Sequence, residues 1–359
     1  MVNRKLRFLA GAGILLAVVV VVLGAFTRLV DAGLGCPDWP GCYGHLLWPN
    51  SAEEIARADA AFPEIPVDLD KTWPEMVHRY FAGCLLLFVL AFTIIAWRDR
   101  RSEAANAVPS PSATGNHVLA TALLVLIICQ AAFGAWTVTL KLWPQVVTAH
   151  LLGGFATLSM LWVLYLRNGG APRLHLPAAA YGEVRSHALL AFAVVVVQIA
   201  LGGWVSSNYA ALACADFPTC FGSYWPEMDA REGFNLLQAV GPNYLGGMLD
   251  SDARVAIHWS HRLGAIAVLL VVGALAWRLY ARAPLVAVTL TLLLAVQLTL
   301  GILNVVWSLP LWVATLHNAF GAALLLSVVA INFAPANQVQ PAPAEAPLPA
   351  GSGTVERPA

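Results

Sequence analysis

The chain has 359 residues, 59% of them hydrophobic and only 11% charged, with 20 basic and 20 acidic side chains cancelling to zero net charge. That composition excludes an ordinary soluble domain, and the absence of any basic tract excludes a nucleic-acid partner. Repeated apolar runs of about twenty residues, the length that crosses a bilayer as a helix, make it an all-α integral membrane protein.

Eight spans are predicted, at residues 8–30, 73–97, 117–140, 145–166, 187–207, 254–280, 283–306 and 311–333. The first follows Arg4, Lys5 and Arg7. It imitates a signal peptide, but it is long for one and no small-residue cleavage site follows, so it reads as an uncleaved span. Two long polar segments, 31–72 and 208–252, hold Cys36 with Cys42 and Cys214 with Cys220. A Ser/Pro-rich linker follows Arg98-Asp99-Arg100-Arg101, and a Pro/Ala-rich tail from Ala334 cannot bury a core and reads as disordered. The arginine clusters fall on one side and the acid-rich segments on the other. Both termini are therefore expected in the cytoplasm and the cysteines in an oxidising periplasm. Nothing resembles an organelle transit peptide, which leans towards a bacterial inner membrane.

The sequence repeats itself. Leu23-Gly24 leading to Cys36-Pro37-Asp38-Trp39-Pro40-Gly41-Cys42 is echoed by Leu201-Gly202 leading to Cys214-Ala215-Asp216-Phe217-Pro218-Thr219-Cys220. His78-Arg79 is echoed by His261-Arg262, Gln130 to Gly134 by Gln297 to Gly301, and Thr148-Ala149-His150 by Thr315-Leu316-His317. Two four-span units follow, 1–167 and 168–334, with the tail at 335–359. Four is even, so both units enter the membrane in the same sense, and the expected pseudo-twofold axis lies along the membrane normal.

Each unit carries one histidine early in its second span and one early in its fourth: His78 and His150, then His261 and His317. All four are expected at one depth, near the outer surface. Two imidazoles at one depth on neighbouring helices suit the two axial positions of a haem iron. A lone intramembrane histidine is more often a packing residue; four matched by repeat favour metal or haem. Zinc is disfavoured because no further cysteine or carboxylate converges. Glu75 lies one turn before His78 on the same helix face, where the second unit has His258 before His261. An ionisable group at the membrane boundary marks function by default, against the plainer reading of a helix-start charge. The difference suggests that one site does chemistry while the other holds a cofactor. Arg79 and Arg262 could reach haem propionates or snorkel to lipid headgroups. The cysteine pairs read as loop staples, with a redox role for Cys36 and Cys42 left open. His45, His117, His175 and His187 read as solvated, and Cys84 and Cys129 as buried apolar fillers.

Together, the Cys36-to-Gly44 loop, Glu75, His78-Arg79, His150, His261-Arg262 and His317 resemble the haem A synthase family over residues 6–333. The resemblance implies an eight-span, twofold-repeated bundle that oxidises a ring methyl of haem O to the formyl group of haem A for haem-copper oxidases. It implies haem b held by His261 and His317, substrate haem O received by His78 and His150, and Glu75 beside the reacting methyl. Implied partners are membrane lipid, the haem O synthase that supplies substrate, and an electron acceptor of unknown identity. His258 and residues 234–252 have no counterpart role. The alternative reading is a di-haem b cytochrome that only transfers electrons; that would place haems at both membrane depths, whereas these histidines share one side.

Overall fold

The computed structural model describes residues 3–105, 115–170 and 178–333. The tail at 335–359, His175 and Arg173, and residues 106–114 of the Ser/Pro-rich linker lie outside the described residues. Every predicted span is a helix long and apolar enough to cross a membrane. They are α1 (Arg4–Leu29), α3 (Leu69–Ala105), α4 (Asn116–Thr139), α5 (Pro144–Tyr165), α6 (Ala178–Ser207), α8 (Ser251–Tyr280), α9 (Pro284–Val306) and α10 (Leu311–Asn332); the short α2 (Ala52–Ala61) and α7 (Ala230–Gly233) belong to the two polar segments.

Local chemistry sets the helix starts. Asn3 caps α1 by accepting from the Leu6 amide, and Asp250 caps α8 by accepting from Ala253. Pro144 and Pro284 stand at the first turns of α5 and α9, where a missing N–H costs nothing. α3 departs from expectation. It begins at Leu69, a turn before the predicted start, and Pro74 lies inside it. Asp68 supplies the start by accepting from the Lys71 and Thr72 amides through its carbonyl and from Asp70 through its side chain.

In α1, α3, α4 and α5, each helix packs against two others of the group, α1 on α3 and α5, α4 on α3 and α5. The same ring is made by α6, α8, α9 and α10, and α5, α6, α1 and α10 meet between the rings. One apolar core threads all of these helices, with Val89 and Phe92 of α3, Leu123 of α4, Leu161 of α5, Leu275 of α8, Leu290 of α9 and Val328 of α10 fully buried. Lipid tails are as apolar as these side chains, so close packing rather than transfer from water holds the helices together.

Two sequence readings are corrected here. Cys84 and Cys129 are exposed, not buried fillers. They sit on outward faces with Leu87 and Ile128, in helices that are apolar all round, so sequence periodicity carries no sign of which face turns inward. His117 is buried, not solvated: Trp97 packs edge-on against it at 4.7 Å, and Arg100 bonds to its ring. The end of α3 runs past the start of α4 and covers it.

The bundle has two unlike ends. At one, Lys5 pairs with Asp99, Arg278 with Glu183, and Arg7 donates to Gly169. At the other lie both polar segments. Backbone irregularities recur at matching places there: cis peptides at Trp39-Pro40 and Phe217-Pro218, and left-handed residues at Asp31 and Tyr209, at Tyr43-Gly44 and Phe221-Gly222, and in the short turns at Lys141-Leu142 and Ser308-Leu309.

Candidate functional site

The two cysteine loops are built alike. Cys36 is bonded to Cys42 and Cys214 to Cys220. Inside each, an aspartate accepts from two successive amides: Asp38 from Tyr43 (2.6 Å) and Gly44 (2.8 Å), Asp216 from Phe221 (2.7 Å) and Gly222 (3.0 Å). Asp216 accepts also from the Thr219 hydroxyl, which with the two amides holds its carboxyl down at about 2. These contacts fold each loop tightly enough to bury all four sulfurs. The first loop is extended by α2 into a small apolar cluster of Tyr43, Ala58 and Met76. Burial there, with Asp59 and Asp68 nearby, pushes the Tyr43 phenol up to about 12, and its hydroxyl donates to the Ile65 and Pro66 carbonyls. Thiol labelling of the purified protein without reductant should modify Cys84 and Cys129 alone; labelling of Cys36, Cys42, Cys214 or Cys220 would refute the corresponding bridge.

Arginine fastens each loop to a helix. Arg79 of α3 donates to the carbonyls of Asp38 (2.9 Å), Pro40 (3.3 Å) and Gly41 (2.5 Å). Arg262 of α8 donates to those of Cys214 (2.8 Å), Asp216 (2.9 Å) and Thr219 (2.8 Å). This loop-holding role was invisible in the sequence. Glu75 is buried, with its carboxylate bonded to Arg79 at 2.5 Å and to the Cys36 amide at 3.0 Å. At the matching place on α8, His258 is buried with Nδ1 2.9 Å from the Ala210 carbonyl, a contact in which the ring donates.

The four ligand candidates come together in pairs. The rings of His261 and His317 stand edge-on at 71° with centroids 6.5 Å apart. Two imidazole nitrogens bound at about 2 Å on opposite sides of one metal would place their rings about 6 Å apart, so this pair fits a single iron between them. His78 and His150 lie close enough for their charges to interact. The rings of His78, His150 and His317 are buried against the backbone of Val20, Gln130 and Gln297 respectively, and their Nδ1 atoms make no side-chain hydrogen bond. Among the described residues no group of three or more His, Cys, Asp or Glu gathers as a metal site.

Each ring lies against a glycine on a neighbouring helix. A Cβ at Gly24 would stand 2.9 Å from His78 Cε1, at Gly202 3.2 Å from His261, at Gly134 3.4 Å from His150 and at Gly301 3.2 Å from His317. These glycines were visible in the sequence only as repeat markers. Residues 236–244, unexplained by the sequence, reach across to the start of the helix that carries His150. Leu236 accepts from Gln145, Gln238 accepts from Trp143, and Tyr244 donates to Lys141. Beside them Arg28 donates to Asp31 and Ser206 and covers the Tyr209 ring, tying the end of α1 to that of α6.

Comparison with known proteins gives the chain's family. The chain is 42% identical to a heme A synthase of Shewanella oneidensis over 331 residues, which is 92% of this chain and 96% of that one. It is 29% identical to a heme A synthase of Sphingopyxis alaskensis, covering 87% and 86% of the two chains. It is 25% identical to one of Halalkalibacterium halodurans, covering 91% and 94%. The model of the COX15-CtaA family, described as cytochrome oxidase assembly protein, matches residues 7–329. Eight spans, two stapled loops and a match over nearly its whole length place this chain in the COX15-CtaA family of cytochrome oxidase assembly proteins.

Proposed function

We propose that this chain is a haem A synthase, oxidising a ring methyl of haem O to the formyl group of haem A. The observation that carries the reading is the pair of histidine pairs at one end of the bundle, only the first of which has a carboxylate, Glu75, where the second has His258. The reading divides the chain into a substrate unit at 1–167 and a cofactor unit at 168–334, related by a pseudo-twofold axis along the membrane normal. The matching loops, turns and helix rings support that division. His78 and His150 hold the substrate haem O. His261 and His317 hold haem b, which when bound supplies a one-electron relay.

With water as the oxygen source, methyl to formyl releases four protons and four electrons per oxygen added. The electrons leave to an external acceptor. Glu75 accepts protons through its carboxylate. Its bonds to Arg79 and the Cys36 amide fix that group in the second turn of α3, one turn before His78 and under the stapled loop. Arg79 and Arg262 contribute by holding the loops over the sites, with any propionate contact secondary to that. His258 ties α8 to its loop and carries no proton in the reaction. The arginine-rich end faces the cytoplasm of a bacterial inner membrane and the stapled loops face the periplasm, with substrate delivered by a haem O synthase within the bilayer.

The test is pigment extraction from cells that make haem O with and without this chain. New haem A is expected. Haem O left unchanged at full expression of the chain would instead favour a di-haem cytochrome confined to electron transfer.

A further inference from the structure

The two stapled loops match in backbone, but only the first is covered. Tyr43 follows Cys42 as Phe221 follows Cys220. Tyr43 is 4% exposed, because it packs with Ala58 of α2 and with the half-buried Trp48, Phe62 and Val67. The Phe62 ring stands edge-on to it at 5.4 Å. Phe221 is 67% exposed. Among the described residues no helix of the second unit takes the place of α2. The segment after Trp225-Pro226 turns inward instead. The Asp229 amide donates to the Asp252 carbonyl, α7 packs on α8, and the Trp204 indole of α6 donates to the Gly233 carbonyl. Tyr224 and Trp225 are each left 71% exposed, and Phe217 is exposed with them. On the first loop Trp39, Leu46 and Leu47 stay exposed, with a single aromatic ring among them.

Four exposed aromatic side chains within nine residues exceed the scattered apolar residues of an ordinary surface, and such patches mark contact sites. The loop hangs from Arg262, the residue after His261, through the Cys214, Asp216 and Thr219 carbonyls. The Arg262 guanidinium also lies 5.7 Å from the centre of the Phe217 ring. The patch is thus fastened to the helix turn that carries His261. The charge around it is one-sided. Residues 31–72 and 208–252, the two polar segments at this end of the bundle, hold fourteen aspartates and glutamates against three lysines and arginines. A field of that sign steers a basic partner towards the surface.

We propose that the bare aromatic face of the second loop, made by Phe217, Phe221, Tyr224 and Trp225, is the docking site of a basic, water-soluble one-electron carrier protein that takes the electrons of the reaction. This rests on the haem reading of the second unit. Each docking passes one electron from ferrous haem b to the oxidised centre of the carrier, leaving ferric haem b, with no proton or group transferred. Four carriers are reduced for each methyl taken to formyl. The acidic surroundings supply the encounter, and the aromatic centre supplies a brief, specific contact in the size class of weak electron-transfer interfaces. In the first unit α2 closes the matching face.

The test uses the purified full chain in nanodiscs of zwitterionic lipid, with mitochondrial cytochrome c, a small basic one-electron protein, as the probe. Ferric cytochrome c should bind at low salt and lose about tenfold in affinity between about 10 and 200 mM salt. Phe221→Ser, Tyr224→Ser and Trp225→Ser together should weaken binding by about 10–100-fold. They should slow oxidation of the dithionite-reduced chain by cytochrome c in proportion, with haem content at the parental level. Leu46→Ser with Leu47→Ser on the first loop should change neither. No binding by the parent at low salt, or binding and oxidation unmoved in the triple variant, overturns the proposal. So does quenching by brominated lipid of a fluorophore attached at Trp225→Cys in a Cys84→Ser, Cys129→Ser chain, because the face then lies in the membrane. Should the triple variant not fold, Trp225→Ser alone decides. A parent chain that takes up no haem through His261 and His317 overturns the haem reading, a result separate from whether cytochrome c binds.

Discussion

Glu75→Gln is expected to lower conversion of haem O by about 10²–10⁴-fold, the usual worth of a positioned proton acceptor, while the protein keeps its haem b and its Cys36–Cys42 bridge. The glutamine is chosen for a structural reason. Glu75 is buried, ion-paired to Arg79 and bonded to the Cys36 amide. Alanine would leave Arg79 short of its anion, and breaking a buried pair by removing one partner costs about 3–5 kcal/mol. Glutamine keeps one of the two acceptor oxygens and the volume of the side chain, and Arg79 keeps its three loop carbonyls. Loss of activity in Glu75→Gln with the loop intact therefore reports on the proton and not on folding. Pigments extracted from cells carrying the variant should hold haem O, with partly oxidised haem stopped at the alcohol. Haem A made at a near-parental rate would reduce Glu75 to a loop fastener.

His317→Ala is expected to strip haem b from the purified protein. Its ring is one of two standing 6.5 Å apart. His258 sits on the same helix as His261 but spends its Nδ1 on the Ala210 carbonyl. The low-spin absorption of a bis-histidine haem should vanish, and conversion should fall with it because electrons lose their relay. His78→Ala should spare that absorption. Retention of an unaltered bis-histidine spectrum in His317→Ala would sink the assignment of the cofactor to the second unit.

The spans were legible because each is a run of about twenty apolar residues bounded by arginine, proline or a polar segment. The two stapled loops were legible because the chain says them twice. Other features needed three dimensions. Pro74 looked like a helix start, yet Asp68 begins the helix earlier and Pro74 sits within it, where Thr27 of α1 donates to its carbonyl. Arg79 and Arg262 looked free to reach outward because their acceptors are backbone carbonyls, which carry no residue signature. Gln130 and Gln297 were visible as repeat echoes, but Gln198 stands three residues before the repeated Leu201-Gly202. Its kinship with them emerges only when Gly202 is seen against His261. The inward faces of uniformly apolar helices, and hence the outward position of Cys84 and Cys129, could not be read from periodicity at all.

The central claim is that one unit holds a cofactor and the other a substrate. It is tested most directly by counting porphyrins on the purified chain from two kinds of cell, one lacking any source of haem O and one supplied with it. The account predicts a single haem b per chain from the first. From the second it predicts that haem b with an additional haem O or haem A, lost in His78→Ala but kept in His317→Ala. Two haem b per chain from both kinds of cell, with no haem O or haem A in either, would contradict it.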